Sequence, residues 1–539
     1  MKFKASWLIV TIVIYFLLIL SLIKWGLPNE SHPYTYHMDE WHQLHSVKAV
    51  FKYGTPNVEK AAYGPLFHFF LSGIYLLPFM ALGIINPFLV KSDFTALAMQ
   101  ARIFEILRLN TLIFGILSII LLAKIVKDYF KINPLATVIF FTFTPIWLSL
   151  SNYFKYDIAL IFWILLALFF LLRYEKTATF KNFLLAAIPC GLALSTKISA
   201  LPIVLVYLFA YFLFTPRQKW NFINLFKGIS LLLGIFLLAG IPYIFYTKGG
   251  FKDFFYYNLV TNPNESLNYN LGMNFWSFLF LKLYPTLFGH FFYWIFIVSF
   301  FFFTTLKQEI LKKKTFQLIL FSFIVFFISL IPLKLFVSNR GLLLLPFMTI
   351  IVSLFVNRVL QTIPRNLRLI FALILTIGIA FQIIESFSWI LIKMKNDPRE
   401  VSSLWIIENI PEGTLIGVED IVVYQMPPNI ILREYTMRES GISVINRFRY
   451  KIVDAFTEEL PPVVVITDRE LVNYQKKSPK KALISRLRSE GYVIKAEFQP
   501  NFRLYEKFSS KINFYLSGLV PSPTITVYTR QVVFACSSR

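Results

Sequence analysis

The chain is poor in charge, in cysteine and in acids. Only 15% of its 539 residues are charged, against about a quarter in an ordinary globular protein. Cys190 lies inside an apolar run and Cys536 near residue 539, so the two cysteines are too few and too badly placed for a disulfide framework. Intrinsic disorder is excluded as well, because 57% of the residues are hydrophobic and 18% aromatic. Sixty phenylalanines at this charge density need more apolar surroundings than the chain can build for itself, so lipid must supply part of them. The 53 basic residues outnumber 29 acids, a net charge of +24 that would suggest nucleic acid if it were spread evenly. It is not. Residues 1–394 hold 33 Lys and Arg and 13 Asp and Glu, a balance of +20, whereas residues 395–539 hold 20 and 16, a balance of +4. The excess sits between apolar runs, where basic residues record membrane topology. No nucleic-acid partner is expected.

A helix needs about 20 apolar residues to cross the hydrocarbon. Such runs lie near 7–27, 106–126, 134–153, 157–173, 181–196, 198–215, 226–246, 276–304, 316–336, 341–360 and 367–391. A twelfth stretch, 65–85, opens with Gly64-Pro65 and contains His68, Pro78 and Gly83. If it does not cross, the loops holding Lys124 to Lys131, Arg173 to Lys181, Arg217 to Lys227, Lys307 to Lys314 and Arg358 to Arg368 all fall on one side. That side is then cytoplasmic. The expectation is a polytopic α-helical membrane protein of about eleven transmembrane helices in the cell membrane. Its N-terminus is inside, and 65–85 lies on or dips into the outer face.

Three long segments then share the outer side: 28–105, 247–275 and everything after 395. The last opens with Asp397-Pro398-Arg399 and an amphipathic helical pattern (Val401, Leu404, Trp405, Ile406). Short β-branched runs follow at Thr414–Val418, Val463–Ile466, Tyr492–Phe498 and Thr524–Tyr528, with a basic helical stretch near 479–490. Residues 1–394 therefore read as a membrane domain and 395–539 as an extracytoplasmic α/β domain.

Ionisable groups near the membrane are costly and are functional candidates by default. Asp39 and Glu40 follow the first span in His37-Met38-Asp39-Glu40-Trp41-His42. Asp157 begins the fourth span, in Tyr153-Phe154-Lys155-Tyr156-Asp157. Lys197 stands at an outer junction, and Arg108 and Arg340 open spans on the same side. Two or three carboxylates with three or four cations on one membrane face suit a negatively charged substrate whose reacting neighbour needs a base. Glycoside hydrolysis takes two carboxylates, one of them a general acid. A phosphate leaving group needs no acid: cations stabilise it while one carboxylate deprotonates the attacking hydroxyl. The alternative for the cations is snorkelling from helix ends.

Taken in order, these motifs resemble a known group. Asp39-Glu40, Lys48-Ala49-Val50, Tyr53-Gly54-Thr55-Pro56 and Tyr63-Gly64-Pro65-Leu66 are similar to the first outer loop of glycosyltransferases of the GT-C superfamily. The branch they resemble is that of protein O-mannosyltransferases and the lipid A aminoarabinose transferase. The likeness runs on through Arg108-Leu109-Asn110 to Gly115, Pro145 to Asp157, Gly191 to Lys197, and Asp397 to Pro411. It implies a GT-C fold and inverting transfer of a sugar, a monosaccharide such as mannose, from a polyprenyl-phosphate carrier to an acceptor hydroxyl outside the cytoplasm. The acceptor would be a protein, a lipid or a glycan. The resemblance also implies Asp39 as catalytic base, Glu40 as a residue orienting the loop or the acceptor, and Asp157 as the second acid. Arg108 and Lys197, joined by Arg340, would meet the carrier phosphate. Relatives of the lipid A type carry a Lys before a Pro-Pro pair. Here the run is Ala61-Ala62-Tyr63-Gly64-Pro65, which weighs against an aminoarabinose assignment.

Five of the six histidines (His32, His37, His42, His45 and His68) fall in the first outer segment. His42 and His45 are one helical turn apart, three and six residues after Asp39, and are the weak candidates for metal ligands. No cofactor is required by the chemistry, and a divalent metal is not favoured. His42, Tyr63, Tyr257 and Asn258 are further substrate-binding candidates, the last two from a Tyr- and Asn-rich outer loop that suits a sugar. The rival classes are a multi-span transporter and a non-catalytic polyprenyl-glycan-binding protein. Transporters place ionisable residues near the bilayer midplane, and here Glu385, late in the last run, is the one acid without an evident place.

Overall fold

The computed structural model describes residues 5–29, 31–32, 34–53, 64–91, 100–245, 249–256, 275–305, 309–330, 338–394, 397–419, 427–436, 446–467, 479–500 and 522–530. The first helix is α1 (Ala5–Ser21), and the first long outer segment holds α2 (Met38–Tyr53), α3 (Phe67–Ala81) and the short α4 (Pro87–Lys91). Then come α5 (Ala101–Ile125), α6 (Leu135–Thr142), α7 (Pro145–Ser151), α8 (Tyr156–Thr177), α9 (Phe180–Thr196), α10 (Pro202–Phe214), α11 (Phe222–Ile235) and α12 (Gly250–Tyr256). After these come α13 (Trp276–Phe288), α14 (His290–Thr305), α15 (Lys314–Leu330), α16 (Leu345–Thr362) and α17 (Arg365–Met394).

Every apolar run read from the sequence contains helix, but length alone does not give eleven spans. Among the described residues five helices are long and apolar enough to cross, those containing α5, α8, α11, α16 and α17. The pair α13 and α14, bent by 119°, makes a sixth if it is one span. The helices Ser6–Ser21, Phe67–Ala81, Phe180–Thr196, Ile198–Phe214 and Lys314–Leu330 are apolar but shorter. The run at 134–153 differs from a simple span because Pro145 has no amide proton and breaks it into α6 and α7.

A break inside an apolar layer leaves backbone groups that water cannot reach. A single polar stripe on α17 satisfies them. Gln382 Nε2 donates to Phe143 O at 3.0 Å and to Phe288 O at 2.8 Å, and Ser386 Oγ donates to Phe143 O at 2.6 Å. Glu385 accepts from the first amide of α14, His290 N, at 2.9 Å, and pairs with His290 Nδ1 at 2.7 Å. Lys393 Nζ donates to Ser149 O at 2.8 Å and to Asn152 Oδ1 at 2.6 Å. These residues recur every three, four or seven positions, so they share one face of α17. Its other face exposes Leu369, Leu373, Ile377 and Ile384. Glu385, unplaced by sequence, thus caps a helix at a break and sets a favourable charge at its N-terminus.

Gly289 makes the second break possible: its φ is +84°, and an added Cβ would lie 2.2 Å from the Gln382 amide. Gly289→Ala is therefore expected to destabilise the protein by more than about 1 kcal/mol. A lower apparent melting temperature of the detergent-solubilised full chain checks it.

Beyond α17, α18 (Pro398–Asn409) leads into a five-stranded sheet of order β2-β1-β3-β5-β4. Its strands are β1 (Leu415–Glu419), β2 (Arg449–Val453), β3 (Val463–Thr467), β4 (Tyr492–Phe498) and β5 (Ile525–Arg530). β1 runs parallel to β2 and β3, while β5 runs antiparallel to β3 and β4. Ile416, Val463, Val465 and Val527 pack with Ile406 of α18 on one face. Val464, Ile466 and Tyr528 pack on the other face with Leu483 and Leu487 of α19 (Pro479–Ser489). β3 is buried throughout, as a strand covered on both faces must be. The four β-branched runs fall on β1, β3, β4 and β5, whereas β2, with Arg449 and Lys451 exposed, carries no such run.

The start of this region is tied to the first outer segment. Asp397 caps α18 through Arg399 N and holds the Arg399 guanidinium at 2.7 Å. That guanidinium stacks 3.5 Å over the Tyr36 ring, whose hydroxyl accepts from Asn429 Nδ2 at 3.0 Å. Tyr36 lies just ahead of Asp39 in the chain, so the joint helps set where α2 begins.

Candidate functional site

α2 starts with Asp39 and Glu40 in its first turn, where acids favour the positive end of a helix. The two neighbours then diverge. Glu40 is fully buried; its Oε1 accepts from Arg108 Nε and from Phe154 N, both at 2.8 Å, and its Oε2 accepts from Arg108 Nη2 at 2.7 Å. Arg108, on α5, also donates through Nη1 to Ile23 O at 2.7 Å and Trp25 O at 2.8 Å. One bidentate pair thereby joins the end of α1, the start of α2, α5 and the turn before α8.

Asp39 remains 41% exposed, and its Oδ2 accepts from Lys155 Nζ at 2.6 Å. Lys155 is fully buried and also stands 3.7 Å from Asp157 Oδ2. Asp157, at the start of α8, accepts through Oδ1 from Lys197 Nζ at 2.7 Å, and Asn339 Nδ2 lies 3.5 Å from its Oδ2. The order of charges is thus Asp39, Lys155, Asp157, Lys197. Lys197 follows α9 in extended conformation and sits 4.5 Å over the Tyr156 ring. Arg340, half-buried beside Asn339, is close enough for its charge to act on Lys197 and Tyr156.

Burial opposes ionisation of Asp39, but the Lys155 ammonium, His37 and Lys197 outweigh it and hold the carboxyl well below the usual carboxylate range. Burial likewise disfavours the Lys155 ammonium, yet Asp39 and Asp157 hold it protonated above the ordinary lysine value. The site therefore offers one accessible, ionised carboxylate backed by a buried cation. An adjoining ion pair faces two more polar side chains.

Of the residues singled out by sequence, the structure brings Asp39, Asp157 and Lys197 into one chain of ion pairs and places Arg340 beside it. Arg108 departs from its expected place at a carrier phosphate. Its guanidinium is 1% exposed and committed to Glu40 and two backbone carbonyls, because α5 packs directly on α2. His42 is exposed on α2, and the His45 ring meets Trp41 edge-on at 5.5 Å. Among the described residues no three His, Cys, Asp or Glu side chains group as metal ligands. Tyr63, Tyr257 and Asn258 lie outside the described residues. Sequence reading left Lys155, which lies between Asp39 and Asp157, open between a functional cation and a snorkelling one, and gave no role to Lys393. The available signal for both was an ionisable residue at the edge of an apolar run.

Residues 87–246 match the family of dolichyl-phosphate-mannose-protein mannosyltransferases. Over that stretch the chain carries the family's pattern, as the resemblance of its motifs led us to expect, and the stretch contains Arg108, Asp157 and Lys197 but not Asp39 or Glu40. No curated protein matches the chain. Among solved structures it is similar to ArnT from Cupriavidus metallidurans bound to undecaprenyl phosphate, at 13% identity and a TM-score of 0.49, over 97% of this chain and 98% of that one. It is also similar to the oligosaccharyltransferase AglB from Archaeoglobus fulgidus, in complex with an inhibitory peptide and a dolichol-phosphate. There the identity is 14% and the TM-score 0.46, over 76% of this chain and 59% of that one. For the S. cerevisiae protein O-mannosyltransferase Pmt1-Pmt2 complex bound to the sugar donor the values are 18%, 0.32, 45% and 35%.

Proposed function

We propose that this chain is an integral membrane glycosyltransferase of GT-C type. It transfers a sugar, a monosaccharide such as mannose, from a polyprenyl-phosphate carrier to an acceptor hydroxyl on the extracytoplasmic side, with inversion. The observation that carries the reading is Asp39: an accessible carboxylate, held ionised by buried Lys155 and linked through it to Asp157 and Lys197. The family match over residues 87–246 supports the reaction class. In this reading the protein sits in the cell membrane with eleven spans within 1–394, the N-terminus inside and the 395–539 domain outside. Its partners are the bilayer, the lipid-linked donor and a protein, lipid or glycan acceptor, with no cofactor required.

Asp39 takes the proton from the acceptor hydroxyl as its oxygen attacks the anomeric carbon. The bond from that carbon to the phosphate oxygen breaks, and its electron pair leaves on the carrier phosphate, so no general acid is needed. Lys197 and Arg340 receive the departing charge. Glu40 and Arg108 fix α2 against α5 and so aim Asp39. The transporter alternative loses its one sequence signal, since Glu385 is taken up in capping α14.

The test is release of polyprenyl phosphate by the purified full chain from a panel of polyprenyl-phosphate monosaccharides with a crude acceptor extract. Release specific to one donor and dependent on acceptor is expected; equal, donor-independent background overturns the reading. The pH profile adds a second check. Asp39 must be ionised to act, and Lys155 depresses its pKa, so the acid limb of kcat/KM lies below the ordinary carboxylate value of about 4. Lys155→Met removes that stabilisation and leaves burial unopposed by its nearest cation, so the limb should move up in pH. An unmoved limb would assign the titrating base elsewhere.

A further inference from the structure

His68 is 1% exposed, and neither of its ring nitrogens has a hydrogen-bond partner. It lies on α3, in a box of aromatic rings: Phe154 stacks on it at 5.5 Å, and Phe69, Phe114 and Tyr156 lie 5.9, 6.3 and 6.5 Å away. Phe154 and Tyr156 flank Lys155, and the Asp157 carboxylate is close enough for its charge to act on the ring. On the Asp157 side a second buried atom, Asn339 Oδ1, is also without a partner, although its amide nitrogen lies 3.5 Å from the Asp157 carboxylate. Buried polar groups are as a rule paired, and an orphaned pair beside one carboxylate needs an occupant to explain it.

The surroundings define that occupant. Burial drives the imidazole pKa down to about 4, so the ring is neutral and presents one donor and one acceptor nitrogen. Asn339 offers an acceptor, and the Asp157 carboxylate beside it is already matched by Lys197 at 2.7 Å and Lys155 at 3.7 Å. His68 and Asn339 themselves bring no charge for an anion to meet. A neutral ligand rich in hydroxyls suits them, because hydroxyls both donate and accept while flat aromatic walls cover the ring's apolar faces.

We propose that His68 and Asn339, next to Asp157, form a hydrogen-bonding subsite for the hydroxyls of a sugar ring, adjoining the cations that meet the phosphate. This rests on the transferase reading and names the part of the substrate that the Asp157 end of the site holds. The subsite is closed in this structure, and admitting a ring requires α3 to move off the Phe154–Tyr156 turn. His68 is then a binding residue whose orphaned nitrogens are satisfied only when substrate is present.

The experiment compares the wild-type full chain with His68→Leu, His68→Asn and Asn339→Ala. Binding is read without turnover, from tryptophan fluorescence with bare polyprenyl phosphate and with polyprenyl-phosphate mannose as probes. Leu is close in size to His and removes both orphans, so H68L should be folded and at least as heat-stable as the wild type. It should bind bare carrier unchanged but lose about tenfold in preference for the sugar-bearing lipid, with H68N restoring part of it and N339A reproducing the loss. If the hydroxyls belong to the acceptor instead, lipid binding stays equal and the KM for acceptor rises by a similar factor in H68L. Unchanged donor preference and unchanged acceptor KM in H68L and N339A overturn the subsite. Should H68L not fold, the same unchanged values in H68N and N339A overturn it. A wild type that binds neither lipid overturns the transferase reading itself, which is a distinguishable result.

Discussion

Replacing Asp39 by Asn should slow release of the carrier phosphate by about two orders of magnitude or more, with the protein still folded. Asn keeps the shape of the side chain and an oxygen that can accept from Lys155, but it cannot take a proton. The carboxylate is partly exposed, so little of the fold depends on its charge. Lys155 keeps a carboxylate neighbour in Asp157 at 3.7 Å, so the substitution leaves no buried cation stranded. The measurement is the single-turnover rate of polyprenyl phosphate release from the donor that the wild type selects. Asp157→Asn is the useful comparison, because it breaks the pair with Lys197 and should alter donor handling before proton transfer. A D39N protein that keeps wild-type rates would place the base elsewhere.

Arg108→Met should be the most damaging single change to stability. It strands the Glu40 carboxylate in a site that is 0% exposed, with only Phe154 N left to it among the hydrogen bonds described, and removes the ties to Ile23 and Trp25. Removing one partner of a buried ion pair costs about 3–5 kcal/mol, because the remaining charge loses its compensation. The double variant Glu40→Gln with Arg108→Met should recover part of that loss, since a neutral amide is far cheaper to bury. Apparent melting temperatures of the purified chains in one detergent would decide the matter. They also separate two roles: an arginine that served the carrier phosphate would give a stable R108M with a raised donor KM. The packing around Glu40 leads us to expect the opposite.

Much of the membrane region was legible because hydropathy and charge are local properties. Apolar runs and the basic loops between them are readable without knowing what packs on what, and so was the gathering of Asp39, Asp157, Lys197 and Arg340 at run ends. The breaks were less legible. Pro145 announces one, but the run across Gly289 stays apolar and reads as continuous. Only the positive φ of Gly289 and the Gln382 amide against it show the chain turning there. Glu385 looked like an isolated charge and Lys393 had no assigned role, because their partners, the start of α14 and the Ser149–Asn152 end of α7, are far away in sequence.

By itself the sequence determined that the chain is embedded in lipid, roughly where its apolar helices lie though not where they break, and that a smaller α/β region follows them. It also determined which ionisable residues stand at helix ends, since burying them without partners is too costly to be accidental. The tertiary structure alone decided who pairs with whom. Glu40 meets Arg108 across 68 residues, Asp39 meets Lys155 across 116, and Lys393 meets Asn152 across 241. Periodicity reports neighbours three or four residues apart on one helix and carries no information on the register between helices. That register made one of two adjacent acids a buried strut and left the other open to a substrate.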